Sequence, residues 1–136
     1  MTHTSPANVT VQLVQGPLGQ PIDWRPAGAG AVVQFEGVVR PTESGRRLRG
    51  LTYEAYEPMT SRLLDELGQA IVQQHGLAAL HVEHSVGFIE NHAVSFRLYV
   101  ASAHRKEALA AMDHFIDRMK QTVPLWKVPE WEQGDG

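Results

Sequence analysis

The apolar positions of this chain change period several times, and each change marks an expected element. In NVTVQLVQG, Val9, Val11 and Leu13 alternate with polar residues, the two-residue period of a half-buried strand. AVVQFEGVVR (31–40) is a β-branched run that reads as a second strand. LTYEAYE (51–57) alternates again, with Leu51, Tyr53 and Ala55 on one face. Between these two, PTESGRRLRG (41–50) is polar and holds three arginines, so the pair is expected to form a hairpin around a long, mobile, basic loop. From Pro58 the period lengthens. Met59, Leu63, Leu64, Leu67, Ala70 and Ile71 recur at helical spacing, and Gly76 lies just past their end.

Two further strands follow, LHVEHSVG (80–87) and AVSFRLYVA (93–101), joined by a turn at Glu90-Asn91-His92. The second places Val94, Phe96, Leu98 and Val100 on one face. A second helix is expected from Ser102, a residue type suited to the N-cap, with Ala108, Leu109, Met112, Phe115, Ile116 and Met119 in one apolar stripe. Arg105 falls in that stripe's sector and Lys120 at its margin. Pro124 pushes its predecessor out of helical geometry, which ends the helix near Thr122. The remainder, LWKVPEW, is too rich in Pro and Trp for a helix. GPLGQPIDWRPAGAG (16–30) reads as loop, residues 1–8 as a loose tail and 132–136 as a short C-terminal tail. Strand, hairpin, helix, hairpin, helix is an α+β order, expected as a single domain over 1–136 without internal repeats.

Composition narrows the class. The chain has 136 residues, 43% apolar and 20% charged, enough for one core. Its net charge of -3 argues against a nucleic-acid protein, whose affinity comes from a basic surface. No cysteine is present, which removes disulfides, thiol catalysis and cysteine zinc sites. No apolar run approaches the roughly 18 residues of a membrane span, and MTHTSPAN lacks the charge and apolar core of a signal peptide. A cytoplasmic protein is expected.

Any anion site must therefore be local. SAHR (102–105) stands at a strand-to-helix junction, where unpaired N–H groups carry partial positive charge, and His104 and Arg105 would complete an anion pocket. An ordinary capped helix explains the same residues. Lys120 is either a surface lysine paired with Asp117 or a lysine pointing into a cleft. A protonated lysine, with an ordinary pKa near 10.4, is a weak nucleophile, and burial or a second cation lowers that value. Lys127 would serve as that cation, or simply snorkel at the surface. Trp126 and Trp131 anchor the C-terminal segment or form a binding platform. Arg40 ends a strand before the basic loop, and Arg46, Arg47 and Arg49 read as solvated charges. The seven histidines show no HExxH or similar spacing, so no metal site is expected, and no GxSxG, P-loop or GxGxxG is present. The pattern thus collects one candidate cationic pocket from Arg40, His104, Arg105, Lys120 and Lys127.

Taken together, FEGVVR, LTYEAYEPMT, SAHR and DRMKQTVPLWK resemble the large, catalytic subunit of molybdopterin synthase, the MoaE family. The resemblance runs in order from about Ala31 to Trp131. It implies an α/β-hammerhead fold and a reaction in molybdenum cofactor biosynthesis. Sulfur would pass from a thiocarboxylated C-terminal glycine to cyclic pyranopterin monophosphate, building the dithiolene of molybdopterin. The donor would be a small ubiquitin-like partner ending in Gly-Gly. The assembly would be a heterotetramer around a large-subunit homodimer, with no resident cofactor. Lys120 matches the essential lysine, implied to transfer a proton or attack the acyl intermediate. Lys127 matches the second lysine, implied to orient substrate and lower the proton affinity of the first. Arg40, His104 and Arg105 match residues implied to hold phosphate and pterin. Pro124 and Trp126 would fix Lys127 in place.

Departures from the pattern occur at Ser85, where the family often has arginine, at Asn91-His92, at Val128-Pro129 and in the short tail. They bear on substrate affinity and dimer contacts. The alternatives are a non-catalytic docking module for a ubiquitin-like sulfur carrier, an unrelated enzyme for a small phosphorylated metabolite, and a purely structural domain.

Overall fold

The structure, a computed structural model, describes residues 2–5 and 8–132. Its strands are β1 (Thr2–Ser5), β2 (Val9–Gln15), β3 (Ala31–Val38), β4 (Thr42–Glu43), β5 (Arg46–Ala55), β6 (Ala79–Glu90), β7 (Val94–Ser102) and β8 (Leu125–Trp131). Two helices, α1 (Met59–His75) and α2 (Arg105–Thr122), complete the chain. The long strand β6 organises the sheet. Residues 80–86 pair in parallel with β2, residues 79–84 pair antiparallel with β7, and residues 87–90 continue onto β5. β1 lies on β2, β3 on β7, and β4 and β8 on β5. Among the described residues only β2–β6 is parallel, so this is the expected α+β fold, mainly antiparallel with two principal helices, of hammerhead type.

One face of the sheet meets both helices. Val9, Val11 and Leu13 of β2, Leu80 and Val82 of β6, and Phe96, Leu98 and Val100 of β7 point to it. Leu64 and Ile71 of α1 and Ala108, Ala111, Met112, Phe115 and Met119 of α2 cover them. The alternation read from β2 and β7 is the inside–outside alternation found. α1 approaches β2 closely because Gly68 leaves room: a Cβ there would meet Val9 Cγ1 at 2.6 Å. On the opposite face, segment 16–30 lies over the sheet. Trp24 packs on Tyr99 and His81, and the Ile22 amide donates to the Tyr99 hydroxyl at 3.1 Å.

Several expectations need correction. The tail expected over 1–8 includes β1, whose Thr2–Ser5 pair with Val9–Gln12; residues 1, 6, 7 and 133–136 lie outside the described residues. The loop expected over 41–50 is mostly strand. Ser44 (φ 52) and Gly45 (φ 76) make a two-residue turn, and β5 begins at Arg46. Arg46, Arg47 and Arg49 face solvent while Leu48 and Gly50 are buried, an alternation that the arginine content hides. The cap of α2 is His104, not Ser102; the buried Ser102 hydroxyl donates to the His104 carbonyl. Within the expected stripes, Leu109 is 53% exposed, and Met59 and Ala70 also face outward; α1 buries Leu64 and Ile71 as expected, and with them Thr60, Ser61, Asp65 and Gly68. The segment LWKVPEW is strand β8, antiparallel to β5. As an edge strand it tolerates Pro129, which has no N–H to leave unpaired.

Candidate active site

A cleft of about 480 Å³ opens where the two halves of the sheet meet the C-terminal end of α2. Phe35, Gly37 and Val38 of β3, Tyr53 of β5, His84 of β6 and Ser95 and Phe96 of β7 form its walls. Ile116, Met119 and Lys120 come from α2, and Leu125 and Lys127 from β8. Both lysines named from sequence therefore line one cleft. The helix carries Lys120 there one residue after the buried Met119. Among the described residues Lys120 makes no ion pair, so the Asp117 pairing is not formed. β8 carries Lys127, which stands opposite Tyr53 in the β5–β8 ladder.

What holds the second lysine is strand pairing rather than an aromatic clamp, because Trp126 is 60% exposed. Trp131 is the ring that anchors the segment: it packs against the Leu48 cluster and under the Arg46 guanidinium at 4.0 Å. At the other end of β8, the Thr60 hydroxyl donates to the Pro124 carbonyl at 2.9 Å, tying the segment to α1. Lys127 Nζ also lies 3.8 Å from Glu43 Oε1, delivered by the β4–β5 turn. Replacing Glu43 with Gln removes that charge from an ammonium that is itself exposed. The expected result is a several-fold loss of turnover with melting temperature unchanged; unaltered kinetics would show that Glu43 does not position Lys127.

Arg40, His104 and Arg105 stand elsewhere. All three are exposed, and none lines the cleft. The His104 amide donates to Glu107 Oε2 at 3.2 Å, and its imidazole lies 3.7 Å from the same carboxylate, so His104 caps α2 locally. Of the departures, Asn91 has a structural role: its side-chain amide donates to the Leu48 carbonyl at 2.6 Å, while His92 takes the left-handed turn position at φ 71. Ser85 is fully buried and its hydroxyl has no partner among the described residues.

Sequence reasoning missed the inner wall. Tyr53 and Phe96 were legible as inward-facing, but nothing marked their meeting with His84. The Tyr53 hydroxyl lies 3.1 Å from the Ser95 hydroxyl. Burial raises the Tyr53 phenol above its ordinary value, the Ser95 hydrogen bond opposes this, and the Glu43 charge adds to it, so the hydroxyl remains a donor at neutral pH. Burial lowers the His84 imidazole to about 4, partly opposed by its bond to the Ser85 carbonyl. The unfolded chain takes up this proton below about pH 6.5 and the folded chain only below about 4, so stability is lost as pH falls through that window. This single group should remove roughly 3 kcal/mol between those limits. Urea unfolding of wild type and His84→Gln at pH 7 and pH 4.5 checks it: the variant should show the smaller acid loss, and equal losses would contradict the assignment. Elsewhere, His75 Nε2 and His114 Nδ1 lie 2.9 Å apart, joining the two helices. Among the described residues no group of three or more His, Asp or Glu is placed to hold a metal ion, and no helix is long and apolar enough to cross a membrane.

A mixed sheet backed by two helices thus holds two lysines and an uncharged inner wall in one cleft, the class of small α+β domain whose site is chemically suited to bind an anionic group. The MoaE protein family matches residues 10–122, and the chain belongs to that family. The molybdopterin synthase catalytic subunit of Bacillus subtilis is 38% identical over 107 residues, 79% of this chain and 68% of its own length. That of Staphylococcus carnosus is 40% identical over 105 residues, 77% of this chain and 70% of its own. The crystal structure of molybdopterin synthase from Staphylococcus aureus superposes with a TM-score of 0.79 at 32% identity, covering 90% of this chain and 92% of that one. In the complex of subunits 1 and 2 of the molybdopterin-converting factor from Helicobacter pylori, one chain shares the fold at 21% identity and a TM-score of 0.69. The family match stops at residue 122, so it includes Lys120 and ends before Lys127.

Proposed function

We propose that this chain is the catalytic subunit of a molybdopterin synthase. In two successive transfers it moves two sulfur atoms, one from each of two thiocarboxylated C-terminal glycines of a small ubiquitin-like subunit, onto cyclic pyranopterin monophosphate, forming the dithiolene and leaving each glycine as a carboxylate. The observation that carries this reading is the convergence of Lys120 from α2 and Lys127 from β8 on one cleft within a MoaE-family fold. Lys120 transfers a proton or attacks the acyl intermediate, and Lys127 orients the substrate. The cleft's two cations suit both the phosphate of the substrate and the negative tail of the partner, inside a chain whose net charge is -3.

Arg40, His104 and Arg105 are the proposed phosphate and pterin contacts. They lie outside the cleft lining, so they reach substrate only through movement or through a second chain brought to the cleft in the assembly. The proposed assembly is a heterotetramer with a large-subunit dimer at its centre, working in the cytoplasm. The sulfur arrives with the partner, so the reaction needs no resident cofactor from this chain.

The test is a reconstitution with purified precursor and thiocarboxylated small subunit, read by dithiolene formation. Product that requires both components supports the reading. A folded, partner-bound chain that forms none overturns it in favour of a docking module. Product from another sulfur donor, without the Gly-Gly partner, overturns the assigned partner chemistry.

A further inference from the structure

The inner wall of the cleft holds a titratable group that the sulfur transfer leaves without a role. His84 is 5% exposed and lines the same cleft as Lys120 and Lys127. Its Nδ1 lies 2.8 Å from the Ser85 carbonyl oxygen. A carbonyl oxygen only accepts, so Nδ1 carries the proton and Nε2 presents a lone pair. Among the described residues none donates to Nε2. The ring is held by Tyr53, edge-on at 4.9 Å and 78°, and by Phe96 at 5.7 Å. Phe35 extends the aromatic wall, 6.0 Å from Phe96, and the Tyr53–Ser95 hydroxyl pair lies alongside. This end of the cleft is uncharged, flat-walled and polar at a few points. The end with the lysines is cationic.

We propose that His84 is a substrate-contacting residue whose Nε2 accepts a hydrogen bond from an N–H or O–H of the flat heterocyclic end of the substrate, leaving the anionic end to the lysines. The proposal rests on the reading above for the identity of the heterocycle as a pterin, which carries ring N–H and amino donors. A neutral acceptor suits this depth, where a carboxylate would carry a large desolvation cost. Its low proton affinity keeps Nε2 an acceptor throughout the neutral range. It also selects: a ligand presenting an acceptor at this point would leave two lone pairs facing each other, unpaired and out of water. A residue that merely filled space between Tyr53 and Phe96 would make no such distinction.

Two substitutions separate contact from packing. His84→Asn keeps a donor for the Ser85 carbonyl but has no atom where Nε2 stood. His84→Gln reaches that position with an amide oxygen. Titration calorimetry of the full chain with 6-hydroxymethylpterin, a phosphate-free probe, reads the inner end separately from the lysines. His84→Asn should weaken binding about tenfold, the scale of one unmet buried donor, and His84→Gln should recover much of it. In the reconstituted reaction His84→Asn should raise KM for the precursor more than it lowers kcat. A third measurement needs no variant: the 15N resonance of His84 Nε2 in the wild type should move when the probe is added. An unmoved resonance overturns the proposal, as does wild-type affinity in folded His84→Asn or equal loss in both folded variants. Failure of sulfur transfer with the probe response intact sinks the synthase reading and leaves the acceptor assignment standing. Normal sulfur transfer with no probe response does the reverse.

Discussion

Lys120→Ala is expected to lose dithiolene formation by about a hundredfold or more, the range for removing a positioned proton-transfer group, while the protein stays folded. The second half of that expectation comes from position. Lys120 is exposed at the end of α2 and has no ion pair among the described residues, so truncation leaves no partner stranded, and stability should change by less than about 0.5 kcal/mol. Lys120→Arg sharpens the test. It keeps the positive charge in the cleft but replaces an ammonium with a guanidinium that does not give up its proton. If Lys120 only attracts anions, the arginine variant should work nearly as well as wild type. If it exchanges a proton or attacks, both variants should be inactive. Single-turnover kinetics on the reconstituted complex distinguishes the two, and full activity in Lys120→Ala would remove Lys120 from the chemistry.

Glu83→Ala should have the largest effect on stability, about 3–5 kcal/mol, through the opposite face of the sheet. Glu83 and His84 are adjacent on β6, so their side chains point to opposite faces. The Glu83 carboxylate accepts from Arg97 Nη1 at 3.2 Å and lies 3.0 Å from His81 Nε2, all three residues being buried. Arg97 is also held by Glu36 at 2.7 Å, and His81 Nδ1 meets the Thr10 hydroxyl at 2.8 Å. Removing Glu83 leaves a buried guanidinium with only the outer of its two carboxylates and takes one partner from His81. Glu83→Gln retains an acceptor and should cost clearly less. Urea midpoints measure both. A loss under about 1 kcal/mol in Glu83→Ala would mean that water or Glu36 compensates the buried arginine. Because this network faces away from the cleft, the kcat of folded Glu83→Gln should be unchanged.

The two lysines were readable because each sits beside a strong local signal: Lys120 on the margin of a helical stripe, Lys127 in a segment broken by proline. The sharing of one cleft was not readable, because it depends on β8 returning along β5. That pairing joins Leu48–Ala55 to Leu125–Trp131, in a far-removed stretch of the chain. The same pairing explains why the aromatic clamp expected from Trp126 is absent and why Trp131 anchors instead. Arg40, His104 and Arg105 joined the candidate pocket on charge and local position alone, and the fold leaves them outside its lining.

By itself the sequence determined whatever depends on local period and on residue type. The alternation of Val9, Val11 and Leu13, the Phe96-Leu98-Val100 face and the Met112-Phe115-Met119 stripe all emerged as core, because a side chain's direction follows from its place along a strand or helix. The absence of cysteine and the small negative charge likewise limited the chemistry before any fold was known. Only the tertiary structure decided which polar groups face each other. It set His84 between Tyr53 and Phe96, brought Glu43 to Lys127 and buried Glu83 with Arg97. The physical reason is that burial and pairing are properties of distance in space. The strands that carry these groups come from separate stretches of the chain, joined by a backbone ladder whose hydrogen bonds do not depend on which side chains they carry.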